Sequence, residues 1–132
     1  MTKPPSYVII FRKWRKSIND NVVENKSFDF AVRIVNLHKH LSVEKNEFVL
    51  SKQLLRSGTS IGANVSEALR GQSKADFSAK MCIALKEANE SHYWIRLLCK
   101  TDFLTEQQFN SIENDVVELI KILSSICKTS TK

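Results

Sequence analysis

Apolar residues return every three or four positions from Ser27 to Cys127, the spacing that lines one face of an α-helix. Phe30, Ile34, Leu37 and Leu41 step by four, three and four, predicting a first helix over 27–41. The polar stretch Ser42–Asn46 is short enough to send the chain back antiparallel. A second helix is expected from Glu47 to Leu69, with Phe48, Leu54, Leu55, Ile61, Val65 and Leu69 inward. Gly71-Gln72-Ser73 interrupts the pattern. Gly71 is suited to a left-handed helix terminus, and Ser73 with Asp76 resembles a capping box for the next helix. That third helix has the longest heptad: Phe77, Met81, Ala84, Ala88, Ser91, Ile95 and Leu98, alternately four and three apart. Thr105-x-x-Gln108 is a capping box by sequence and predicts the start of a fourth helix, striped by Phe109, Ile112, Val116, Leu119, Leu123 and Ile126. Long helices with short connections read as an all-α, antiparallel up-down-up-down four-helix bundle. The expected organisation is a basic N-terminal arm over 1–26, the bundle over 27–128 and a tail over 129–132.

Composition narrows this further. A chain of 132 residues suits one domain, and its 42% hydrophobic and 26% charged shares suit a soluble fold. Only 3 Gly and 2 Pro are present, too few for the turns of an all-β fold. Pro4-Pro5 predicts an extended start. Tyr7–Phe11 is too short for a membrane span or a signal core, and although it could form a strand, nothing reads as its pairing partner. The net charge of +6 is concentrated early: Lys3, Arg12, Lys13, Arg15, Lys16 and Lys26 face only Asp20 and Glu24 within the first 26 residues. Trp14 lies among Arg12, Lys13, Arg15 and Lys16, where a ring can stack on bases while the cations neutralise phosphates. The same cluster is also compatible with a membrane surface or with a merely solvated terminus. Cys82, Cys99 and Cys127 are odd in number and form no close motif, which points to reduced thiols, no zinc site and a cytoplasmic location.

Within the second helix, Gly58, Gly62 and Ser66 recur every four residues. Glycine costs about 1 kcal/mol relative to alanine in a helix, so this smooth strip is expected to be offset by close approach of another helix, in the same bundle or in a second subunit. It is not a phosphate loop, because no Lys-Ser/Thr pair follows it. Asn64 and Glu67, with Glu87 and Glu90 on the third helix, are placed to meet Arg56 or Arg70 across helices, and are solvated surface otherwise. Tyr93 and Trp94 lie just off the inward stripe, as a subunit contact or, for Trp94, as a widening of the core face. His38 and His40, two apart, point to different faces, and His92 has no neighbouring ligand in sequence. No metal, cofactor or catalytic grouping is expected, and the chain reads as a non-enzyme.

The run Arg56-Ser57-Gly58-Thr59-Ser60-Ile61-Gly62-Ala63-Asn64-Val65-Ser66-Glu67-Ala68 resembles the four-helix-bundle family encoded by intervening sequences in bacterial 23S ribosomal RNA genes. Ser73-x-x-Asp76-Phe77, Ile83-Ala84 and Glu90 with Tyr93-Trp94-x-x-Leu97-Leu98 carry the resemblance onward, so that it covers about Lys26 to Ile126. Many relatives have Glu-Gly where this chain has Glu67-Ala68, and residues 1–25 have no recognised counterpart. The family includes relatives of the accessory protein of diversity-generating retroelements, and its known members are five-subunit barrels. The resemblance therefore implies a homopentamer, which the heptads alone do not. Two functions fit: a homo-oligomeric assembly protein contacting RNA, DNA or a nucleic-acid-handling enzyme, or a structural protein–protein interaction module that binds no nucleic acid.

Overall fold

The computed structural model describes residues 20–131. It contains α1 (Asp20–Glu44), α2 (Val49–Leu69), α3 (Lys74–Lys100) and α4 (Glu106–Ser130), and no strand occurs among the described residues. Consecutive helices pack closely, whereas α1 meets α4 only lightly. The result is the all-α four-helix bundle that the apolar spacing predicts, with one thin seam.

The heptad of α3 sets the core. Phe77, Met81, Ala84, Ala88, Ser91, Ile95 and Leu98 are all fully buried. The small residues Ala84, Ala88 and Ser91 sit together between two large pairs and let neighbouring helices approach closely at the middle of α3. Ile112, Val116, Leu119, Leu123 and Ile126 of α4 are buried against them, while Phe109 packs at the margin. Ser91 reaches the buried Ser57 of α2, their hydroxyls hydrogen-bonding at 2.9 Å, so the polar atoms at this close crossing have partners. The capping box of α4 forms in full: Gln108 N donates to Thr105 Oγ1 at 3.1 Å and Thr105 N to Gln108 Oε1 at 2.9 Å. At α3 the Ser73 half forms, with Asp76 N donating to Ser73 Oγ at 3.0 Å.

Several expectations are corrected. The first helix starts at Asp20, not Ser27, because Val23 and Ser27 extend the stripe backward and both are buried. Helix α1 therefore reaches into the segment read as the arm. Ser27 tolerates burial because its hydroxyl donates to Glu24 O at 3.1 Å. Phe48 is not inward but 57% exposed. The chain reverses through Asn46, whose φ of 53° is left-handed, and Glu47 turns in instead. Its carboxylate accepts from Ser51 N at 2.7 Å and Val49 N at 3.1 Å, satisfying the first amides of α2. Gly71 does not adopt a left-handed conformation. Space favours glycine instead, since a Cβ there would lie 3.0 Å from Ala68 O and would push aside the exposed Asp76 carboxylate, 2.7 Å away.

The thiol expectation is also overturned. Cys82 of α3 and Cys127 of α4 form a disulfide, with Cα atoms 5.2 Å apart, and Cys99 is the free cysteine. The 45 intervening residues hide this pairing in the sequence. It arises because antiparallel packing brings the first half of α3 beside the last turns of α4.

Candidate functional site

The small strip is used within the chain. A Cβ on Gly58 would lie 2.9 Å from both γ carbons of Ile34, and one on Gly62 would lie 3.3 Å from Ser27 O, so α1 lies directly against α2. Ser66 is half-buried and accepts from Arg70 Nη1 at 3.0 Å. Of the charged groups, Arg56 bridges α2 to α3 by pairing with Glu90 and, at 3.3 Å, with Glu87. Glu67 meets Lys80 at 2.8 Å, and that hydrogen bond, with the carboxylate charge, raises the Lys80 pKa. Arg70 turns the other way, 3.9 Å from Glu24 of α1. Asn64 donates to Ser60 O of its own helix at 2.8 Å and crosses to no other helix among the described residues. His92 does have a partner, Glu113 of α4 at 2.9 Å.

Two further ion pairs bridge the thin α1–α4 seam. Lys26 pairs with Glu118, whose hydrogen bond and charge raise the lysine pKa, and Arg33 pairs with Asp115. Arg33 Nη2 also donates to Ser111 Oγ at 2.8 Å. All four charged side chains are two-fifths to one-half exposed, so solvent screens each pair and it contributes little to stability. The seam is aligned by charge more than it is held by it.

Tyr93 and Trp94 divide. Trp94 packs on the core, with its indole N–H meeting no acceptor among the described residues, whereas Tyr93 is 54% exposed. Their rings meet edge-to-face with centroids 5.0 Å apart. Beyond Tyr93, α3 and the start of α4 enclose a cleft of about 450 Å³ lined by Tyr93, Arg96, Leu97, Cys99, Lys100 and Phe109. The sequence reading missed this cleft. Its signal was the spacing of Tyr93, Arg96 and Lys100 along one helical face, which a search for the apolar stripe passes over.

Exposed apolar side chains were also missed. Phe28 and Val32 stand one turn apart on α1, and Val43, Phe48 and Val49 surround the α1–α2 turn. Arg12, Lys13, Trp14, Arg15 and Lys16, and the segment Tyr7–Phe11, lie outside the described residues. Among the described residues, no group of three or more His, Cys, Asp or Glu could hold a metal, and no helix is long and apolar enough to cross a membrane.

The sequence matches the family described as 23S rRNA-intervening sequence protein over residues 19–125. A crystal structure of a protein of unknown function from the S23 ribosomal protein family of Bacteroides thetaiotaomicron is similar in sequence and fold. It is 60% identical with a TM-score of 0.81, covering 83% of this chain and 97% of that one. No curated protein matches the chain.

Proposed function

Because this chain belongs to the 23S rRNA-intervening sequence protein family, we propose that it is a non-enzymatic, homo-oligomeric assembly protein that contacts nucleic acid or a nucleic-acid-handling protein. The carrying observation is the division of charge. Of the twenty basic residues, five precede Asp20 with no acidic residue among them, whereas fifteen face all fourteen acidic residues from there on. A polyanion is therefore met by Arg12, Lys13, Arg15 and Lys16, with Trp14 available for stacking.

Self-assembly is supported by the exposed apolar pairs. Phe28 at 67% and Val32 at 46% exposure, with Val43, Phe48 and Val49 at one end of the bundle, are the kind of surface that a second copy covers. Five copies is the number that the family resemblance implies. A cytoplasmic place of action is part of this reading, and the Cys82–Cys127 bond counts against it, since disulfides are rare there; three alkylatable thiols in rapidly trapped lysate protein would support the cytoplasm, and one thiol would refute it.

Solution mass and nucleic-acid retention test the reading. A five-fold mass is expected, and a monomer would remove the assembly. Binding to RNA or DNA should fall log-linearly with salt, and replacing Arg12, Lys13, Arg15 and Lys16 by Gln should flatten the slope by roughly 0.7 to 0.9 per lost phosphate contact. No retention at low salt, together with stoichiometric capture of one protein, would favour the interaction module instead.

A further inference from the structure

We propose that the cleft between the C-terminal half of α3 and the first turns of α4 is a binding site for single-stranded nucleic acid. A base would stack on Tyr93, with the adjoining phosphates on Arg96 and Lys100. The inference deepens the nucleic-acid reading above and adds a contact on the bundle itself.

The cleft is built by the α3–α4 turn. Asp102, with its left-handed φ of 68°, reverses the chain so that Phe109 on the first turns of α4 returns beside Leu97. An apolar floor results, with Tyr93 standing beside it more than half exposed. Tyr93, Arg96 and Lys100 follow on successive turns of one face of α3. They cover about 10 Å at 1.5 Å per residue, enough to place one base on Tyr93 and its adjoining phosphates on the two cations.

Charge selects the ligand. Arg33, Arg56 and Arg70 each meet a carboxylate, but Arg96 meets none among the described residues, and neither does Lys100. No Asp or Glu lines the cleft. Two cations without counterions beside an open aromatic ring suit a ligand with both an anionic group and a planar face. A nucleotide carries both, whereas an acidic peptide supplies only the charge. The volume of about 450 Å³ falls within the range of small-ligand sites and is too small for a duplex.

Cys99 lines the same cleft and is the free cysteine, so it reports occupancy. The full oxidised chain is alkylated with N-ethylmaleimide, with and without a single-stranded ten-nucleotide oligomer, and read by mass spectrometry. Affinity is measured in parallel by anisotropy of the labelled oligomer. The oligomer should slow Cys99 alkylation. Tyr93→Ala and Arg96→Gln should each weaken binding at least about fivefold, the low end of one base–aromatic stack or charged contact, and abolish the protection. Tyr93→Phe should retain both.

If the oligomer binds while Cys99 reacts at its free rate and Tyr93→Ala binds like the parent, the cleft site is refuted and the N-terminal basic residues alone carry the nucleic-acid reading. If no oligomer binds at low salt, both fall together. Protection by an acidic peptide but not by the oligomer would equally overturn the proposal, and with a slowly reacting Cys99 the anisotropy of Tyr93→Ala and Arg96→Gln decides alone.

Discussion

Replacing Gly58 by alanine tests whether the small strip of α2 is used inside the chain. The new methyl would lie 2.9 Å from both γ carbons of Ile34 and 3.3 Å from its Cβ, whereas carbon atoms at rest sit about 3.5–4.0 Å apart. Ile34 is fully buried and β-branched, so rotation about χ1 only exchanges one obstructing carbon for the other. The helices must therefore separate slightly, at a cost of about 1–3 kcal/mol for an overpacked site. Alanine returns about 1 kcal/mol of helix propensity, leaving a net destabilisation of about 0–2 kcal/mol. Gly62→Ala is the control. Its methyl would meet the α1 backbone instead, 3.3 Å from Ser27 O, 3.5 Å from Ser27 C and 3.7 Å from Phe28 N, a milder approach that the propensity gain should offset, leaving stability within about 1 kcal/mol of the parent. A double-mutant cycle isolates the contact. Ile34→Ala alone should cost about 2–5 kcal/mol, and combined with Gly58→Ala it should cost less than the sum by about 1 kcal/mol or more, since the added methyl enters the space the γ carbons left. Urea denaturation with an unchanged m-value provides the measurement. If Gly58→Ala is as stable as Gly62→Ala, or if the cycle closes additively to within about 0.5 kcal/mol, the α1–α2 contact is not what selects glycine. A change in solution mass without a change in stability would place the strip between subunits instead.

Other perturbations follow from the same structure. Val116 is fully buried on α4, so Val116→Asp should abolish the cooperative helical melt followed by circular dichroism; an unchanged melting curve would refute its placement. Thr105→Ala removes the hydroxyl half of the α4 capping box and should cost about 0.5–2 kcal/mol in urea, with no loss if the helix start is held by packing alone. The Cys82–Cys127 bond closes a loop of 45 residues, so its reduction should destabilise the chain by about 2–5 kcal/mol. Cys82→Ser should melt alike with and without reductant, whereas a parent melt indifferent to reductant would show that the bond adds no stability.

What was legible in the sequence followed the range over which each signal acts. The α3 heptad and the Thr105 box are local: one depends on 3.6-residue periodicity and the other on a three-residue reach, and the structure places both as read. Phe48 failed because apolarity alone does not fix a direction. The left-handed Asn46 rotates the entry to α2 until Glu47 caps its amides and the phenyl ring faces outward. Gly71 failed for a related reason, since its φ lies outside the left-handed region and what favours glycine there is the 3.0 Å approach to Ala68 O. The disulfide and the Tyr93–Phe109 cleft join residues from different helices, and only the packed register of α3 against α4 brings them together.

The use of the glycine strip constrains any assembly of this chain. Once Gly58 and Gly62 are occupied by α1, that face of α2 cannot also seat a second copy, and Arg56 with Glu87 and Glu90 is satisfied within one chain. The apolar groups then open to a subunit contact are Phe28 and Val32 on α1 and Val43, Phe48 and Val49 at its end, the most exposed set, with Ile83 and Tyr93 on α3 apart from them. Both groups lie on or next to α1, the helix whose seam with α4 is thinnest. A neighbour seated there would bury Phe28 on the side of α1 that faces away from the Lys26 and Arg33 ion pairs with α4. The Arg96–Lys100 cleft, on the α3–α4 side, would stay open to a nucleic acid strand. Phe28→Asp should therefore lower the solution mass while the oligomer still protects Cys99, and loss of that protection with the mass unchanged would break this separation of surfaces.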